Sequence, residues 1–145
     1  MLRNRIVNGQ KATDATYVAH TDLKRGMGVI KGVNGKTAFA RGEGDANKIF
    51  LVDRDNLTEG IESLYTDRPD VYFDDIKEGA YVLLRPYVVG ESFYTDQYEA
   101  EFEDGMAVTA DNTGKWIEAV EGSRFISKGM ETVAGVKMLI VEVIY

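Results

Sequence analysis

Short apolar runs alternate with glycine-bearing turns along this chain, and one layout of polar and apolar positions returns three times. Asp22-Leu23-Lys24-Arg25-Gly26-Met27-Gly28-Val29 is answered by Asp75-Ile76-Lys77-Glu78-Gly79-Ala80-Tyr81-Val82 and by Glu101-Phe102-Glu103-Asp104-Gly105-Met106-Ala107-Val108. Each copy reads acidic, apolar, charged, charged, Gly, any, any, Val. Such a unit predicts a turn whose glycine takes a positive φ at no steric cost, followed by a strand. The first and third copies also agree downstream, because Gly35 and Gly114 each follow the turn glycine by nine residues. Asn34-Gly35 is the preferred pair for a two-residue type I′ turn, with hairpin arms expected at 27–31 and 37–41. Val29, Val82 and Val108 are expected to point into one core.

Residues 1–10 are read as a first strand or as an arm that orders on a partner, and residues 11–145 as one β-rich domain. A strand is expected at 17–20 and a flexible loop at 41–45. The Gly42-x-Gly44 of that loop is no dinucleotide fingerprint, since it lacks the third glycine and a following helix. Residues 49–52 read as a buried strand. Leu57, Ile61, Leu64 and Tyr65 have helical spacing interrupted by Gly60, which predicts one short helix or an irregular excursion. The apolar run 81–84 leads into Arg85-Pro86, a bulge, corner or edge, because proline cannot donate to a ladder. Tyr94, Tyr98 and Phe102 are spaced by four and fit either a helix or a bulged aromatic strand. A short strand is expected at 124–127. Residues 136–145 are apolar on both faces apart from Glu142, which predicts a strand in the middle of the core. Deleting its last few residues is expected to unfold the domain.

Composition fits this picture. The fold class expected is all-β, a compact β-barrel or β-sandwich of antiparallel strands with at most one short helix. A chain of 145 residues buries roughly two thirds of its unfolded surface without a staple. The absence of cysteine excludes disulfide scaffolds, thiolate metal sites and cysteine nucleophiles. The net charge of −7 disfavours a nucleic-acid partner, because phosphate binding needs clustered Lys and Arg. Neither a signal-peptide core nor an apolar run of membrane-spanning length is present, so a soluble protein without a membrane partner is expected.

Candidate chemistry is confined to carboxylates. Asp53 with Asp55, Asp74 with Asp75, and Glu99, Glu101 and Glu103 with Asp104 are the acidic groupings, and the three glutamates would line one face of a strand. The calcium-loop offsets are missing, and a solvated charged face is the ordinary meaning of such a run. His20 is the sole histidine and has no second ligand cluster at metal spacing. Ser63, Ser92, Ser123 and Ser127 stand outside any nucleophile elbow, and the Gly-Lys pairs at 35–36 and 114–115 lack the upstream glycine of a phosphate loop. No catalytic residue, metal or cofactor is assigned.

In the glycine-turn openings at Gly26, Gly79 and Gly105, the Asn34-Gly35 hairpin, the apolar run 49–52, the lack of cysteine and the acidic balance, the chain resembles the small β-rich capsid decoration, or cement, proteins of tailed bacteriophages. The resemblance spans residues 22–145. It implies a non-enzymatic virion protein, made in the host cytoplasm, that sits as a homo-oligomer on the outer capsid surface and stabilises major capsid protein subunits. On that reading Leu2, Arg3, Arg5, Ile6 and Val7 would clamp a neighbouring subunit, the arginines on acids and the strand by β-augmentation. Removing residues 1–7 would then abolish capsid binding without lowering thermal stability. The alternative expectation is a small-ligand or carbohydrate-binding β-barrel module using Tyr72, Phe73, Tyr94, Tyr98 and Trp116.

Overall fold

In the computed structural model, which describes residues 1–6, 13–41, 43–53, 75–120 and 122–145, the sequence repeat becomes a backbone repeat. Gly26, Gly79 and Gly105 have φ of +96°, +84° and +95°. In each copy the amide after the glycine donates to the carbonyl three residues back: Met27 to Lys24 at 3.2 Å, Ala80 to Lys77 at 3.0 Å and Met106 to Glu103 at 3.5 Å. The first and third copies share a further detail. Their methionine sulfurs fold back over the turn and accept from the amides of Lys24 (3.4 Å) and Glu103 (3.2 Å).

The chain is all-β. Its strands are β1 (Leu2–Ile6), β2 (Asp14–Val18), β3 (Leu23–Lys24), β4 (Gly28–Lys31), β5 (Thr37–Ala38), β6 (Phe50–Asp53), β7 (Asp75–Ile76), β8 (Tyr81–Arg85), β9 (Ser92–Thr95), β10 (Asp104–Ala110), β11 (Trp116–Glu118), β12 (Phe125–Val133) and β13 (Val136–Val143). No α-helix occurs among the described residues, and none of their elements is a helix able to cross a membrane. A 3₁₀ turn, Glu43–Lys48, stands where a flexible loop was expected. The proposed helix around Leu57 lies outside the described residues.

Two larger curled antiparallel sheets, one in the order β2-β8-β6-β4-β5 and the other β1-β9-β13-β12-β10-β11, and a two-stranded β3-β7 sheet make up the described architecture. Set β1 aside and number the five strands of each larger sheet along the chain: both sheets then run first, fifth, fourth, second, third. Both also curl so that the end of the first strand, or the chain just past it, meets the third strand or the residue before it, through the parallel bridges Val18↔Lys36 and Tyr98↔Trp116. The same two hairpins close them. β4–β5 and β10–β11 each carry a five-residue loop, 32–36 and 111–115, set by the pairs Lys31↔Thr37 and Ala110↔Trp116. Each loop is clasped by an equivalent bond, Gly32 N to Lys36 O and Asp111 N to Lys115 O, both 2.9 Å. Within the first, Asn34 (φ +58°) and Gly35 (φ +69°) hold the two left-handed positions a type I′ turn requires.

The valines after the glycine turns are all buried, but not in one core. Val29 and Val82 join Leu23, Val52, Ile76 and Leu84 inside the first sheet, whereas Val108 joins Phe93, Trp116, Phe125, Leu139 and Val141 in the second. The division follows from period-two alternation. On β6, Leu51 faces the second cluster and Val52 the first, so the apolar run 49–52 is buried on both sides. The lead-ins of the first two copies pair with each other, Leu23↔Ile76 and Lys24↔Asp75, and their apolar members cap the first core. The first and third copies also meet. Gly28 N donates to Gly114 O (2.9 Å), and Trp116 Nε1 donates to Gly26 O (3.0 Å).

β13 lies between β9 and β12, and Met138, Leu139, Ile140 and Val141 are buried on both of its faces. Ile144 and Tyr145 lie beyond the strand and are exposed. The expectation that the last few residues hold the domain together therefore applies to residues 138–143 and not to the final pair. β12 extends well past the expected 124–127, because Gly129 (φ +92°) absorbs a bulge and Ala134-Gly135, both at positive φ, turn it into β13.

Candidate functional site

The N-terminal residues proposed as a clamp form part of the fold. β1 pairs with β9 through Leu2↔Thr95, Arg3↔Tyr94 and Asn4↔Phe93, and Leu2 is buried in the second core. The α-amino group donates to Arg25 O (2.9 Å) and to Asp96 Oδ1 (2.5 Å). Removing these residues would strip core and sheet, so the expected separation of binding from stability does not hold. Arg3 is half-buried, Arg5 and Ile6 are exposed, and Val7 lies outside the described residues.

Among the described residues, the aromatics proposed as a ligand platform do not present a shared open ring face. Trp116 has 0 % exposure, wedged between Phe93 (5.6 Å between centroids) and Phe125 (5.1 Å), so no ring face is left for a sugar. Tyr94 and Tyr98 are half-buried. Their hydroxyls reach across to the β12–β13 hairpin, Tyr94 to Glu131 Oε2 (3.2 Å) and Tyr98 to Lys137 O (2.9 Å). Tyr72 and Phe73 lie outside the described residues.

Among the described candidate carboxylates, Asp53, Asp75, Glu99, Glu101 and Asp104 are engaged in ion pairs. Asp53 is buried between Arg25, 2.8 Å away, and Arg85. Glu99 and Glu101 do not line a strand. They sit in the irregular link before β10 and face Lys115 and Lys137 respectively. The hydrogen bond from Lys137 to Glu101 raises the lysine pKa. Asp75 pairs with Lys24, and Asp55 and Asp74 lie outside the described residues. Among the described residues no three His, Asp or Glu side chains gather in a way that would hold a metal. Ser92, Ser123 and Ser127 are buried in the second sheet, where Ser123 Oγ donates to Val108 O and Ser127 Oγ accepts from Gly129 N. His20 is clamped at the seam of the first sheet, Nδ1 2.8 Å from Thr37 Oγ1 and its ring edge-on to Phe39. Burial lowers its pKa, against an opposing effect of Glu78.

A different surface emerges at one end of the second sheet. Ile6 lies opposite Ser92, and Ser92 opposite Glu142. The turn at Val88 and Val89 is tied to the end of β13 through Gly90 N to Val143 O and Val143 N to Glu91 O, both 2.9 Å. Five large apolar side chains are thereby set at one end with solvent contact: Ile6 (47 %), Val88 (44 %), Val89 (56 %), Ile144 (40 %) and Tyr145 (59 %). Beneath them Tyr87 is buried and donates to Asn4 Oδ1 (2.7 Å), its pKa raised by burial. Sequence reasoning missed this grouping because its members come from three distant segments. The one local signal was Val88-Val89, a β-branched apolar pair placed in a turn.

Comparison with protein-family models, with curated proteins and with solved structures finds no match. The class of protein rests on the fold itself, an all-β chain of two curled sheets with one topology.

Proposed function

We propose that this protein is a non-enzymatic structural protein that binds the outer surface of a phage capsid and stabilises the shell. The observation that carries the reading is the cluster of exposed apolar side chains at Ile6, Val88, Val89, Ile144 and Tyr145. Exposed apolar side chains grouped on a folded domain mark a contact site, and here one stands on a strand, two in a turn and two just past the end of β13. The net charge of −7 suits the outside of a shell better than its DNA-filled interior. A sugar-binding role loses the support of Trp116, which is sealed in the core, and the Tyr94 and Tyr98 hydroxyls are already engaged.

The test is co-sedimentation with empty shells assembled from the major capsid protein of a tailed phage, chosen by the presence of this chain's gene in its genome. Saturable binding at a fixed ratio to capsid subunits, with a higher melting temperature of the shell, is the expected result. Shells that sediment without the protein, or bind it without gaining stability, would refute the reading.

A further inference from the structure

We infer that Asn34 is a site of spontaneous covalent modification: its side-chain amide closes onto the Gly35 nitrogen, and the isoaspartyl product that follows opens the seam of the first sheet. The inference stands apart from the proposed contact role. Closure needs an attacking backbone nitrogen that is unhindered, solvated and free of other bonds, and Gly35 supplies one. A Cβ built at Gly35 would meet nothing within 4 Å, and both Asn34 and Gly35 are exposed. The Gly35 amide donates to no acceptor among the described residues, and the Asn34 side chain has no hydrogen-bond partner among them. The other described asparagines lack this combination. Asn112, in the matching loop of the second sheet, precedes the β-branched Thr113, whose amide already donates to Asp111 Oδ1 at 2.8 Å. Asn4 lies within β1 with its Oδ1 accepting from Tyr87 (2.7 Å), and Asn47 lies in the 3₁₀ turn before Lys48.

The chemistry balances with water as the sole co-reactant. In the closure a bond forms between the Gly35 nitrogen and Cγ of Asn34, the Cγ–Nδ2 bond breaks, and the Gly35 amide proton leaves with Nδ2 as ammonia. Water then opens the cyclic imide at either carbonyl. Opening at Cγ breaks the new bond and leaves aspartate. Opening at the main-chain carbon breaks the original peptide bond, so the chain runs through Cγ and is one methylene longer. Nothing is oxidised or reduced. The longer product changes the fold locally, because Gly35 O is the acceptor for Val18 N (2.9 Å) beside the Val18↔Lys36 bridge that closes the first sheet. The same loop is anchored by Gly32 N to Lys36 O (2.9 Å) and Lys36 N to Val33 O (3.2 Å). A methylene inserted within that loop displaces Gly35 O by on the order of one bond length, ~1.5 Å, which takes it out of hydrogen-bond range of Val18 N.

The experiment ages wild type and Asn34→Gly in mildly alkaline buffer and maps both with trypsin, which releases Asn34 in the fragment 32–36 and Asn8 in the fragment 6–11. Glycine accepts the φ of +58° at position 34 and has no side chain to close. In native wild type the 32–36 fragment should gain about 1 Da and split into two products well before the fragment holding Asn112 changes. Amide exchange at Val18 should then quicken at least about fivefold, the factor that loss of one net hydrogen bond allows, while aged Asn34→Gly keeps its protection. A 32–36 fragment of unchanged mass, or one modified no faster than the Asn112 fragment, overturns the site. A modified fragment with Val18 as protected as before overturns the structural consequence. Equal loss of protection in aged Asn34→Gly overturns it too, by assigning the loss to another residue.

Discussion

Gly28→Ala tests the seam where the first and third copies of the repeat meet. Gly28 lies outside the left-handed region, so alanine there meets no backbone penalty, and any cost comes from packing. A Cβ at this position would stand 2.6 Å from Ala110 Cβ and 2.9 Å from Ile49 Cγ2, with Trp116 Cζ2 at 3.4 Å. Carbon atoms pack at roughly 3.5–4.0 Å, so β4 and β10 must separate by about 1 Å or the Trp116 ring must tilt. Tilting is resisted by the bond from Trp116 Nε1 to Gly26 O. Overpacking of this kind costs about 1–3 kcal/mol. With an unfolding entropy near 2.1 cal/mol/K per residue, about 0.3 kcal/mol/K over 145 residues, the melting temperature should fall by roughly 3–10 °C. Gly35→Asn is the control, since its side chain meets open space and asparagine tolerates the φ of +69°. Thermal unfolding followed by circular dichroism reads both. A Gly28→Ala protein that melts with wild type would refute the close approach of the two hairpins.

Two further outcomes follow from the burial pattern and the single histidine. Deleting residues 1–6 removes Leu2 from the core and a strand from the sheet, and should cost at least about 2–5 kcal/mol in urea unfolding. Deleting residues 144–145 gives up one backbone bond and about 1 kcal/mol; equal midpoints for the two truncations would contradict the burial assigned to Leu2. His20 is harder to protonate when folded than when unfolded, so its contribution is complete above about pH 6.5 and is lost as pH falls toward the lower folded pKa. The melting temperature should therefore drop more between about pH 8 and about pH 5 in wild type than in His20→Gln. Parallel pH profiles would dismiss His20 as a contributor.

The sequence determined what depends on a few neighbouring residues. A glycine at positive φ, an Asn-Gly turn and a run apolar on both faces are set by local sterics and by the period of the side chains. Gly26, Gly79, Gly105, the hairpin at Asn34-Gly35 and the central place of β13 were therefore legible. The roles of Leu2, Trp116 and Asp53 were not, because an exposed and a buried residue read alike until its partner across the chain is known. Trp116 has an aromatic's chemistry for ligand or core, and only its distance to Gly26, 90 residues away in the chain, settles it as core. The candidate surface was hidden for the same reason: Ile6, Val88 and Ile144 share an end only through the register of β1, β9 and β13. Tertiary structure also decided that the repeat builds two sheets of one topology, each with its own core, since local preference opens a strand but long-range packing chooses its neighbour.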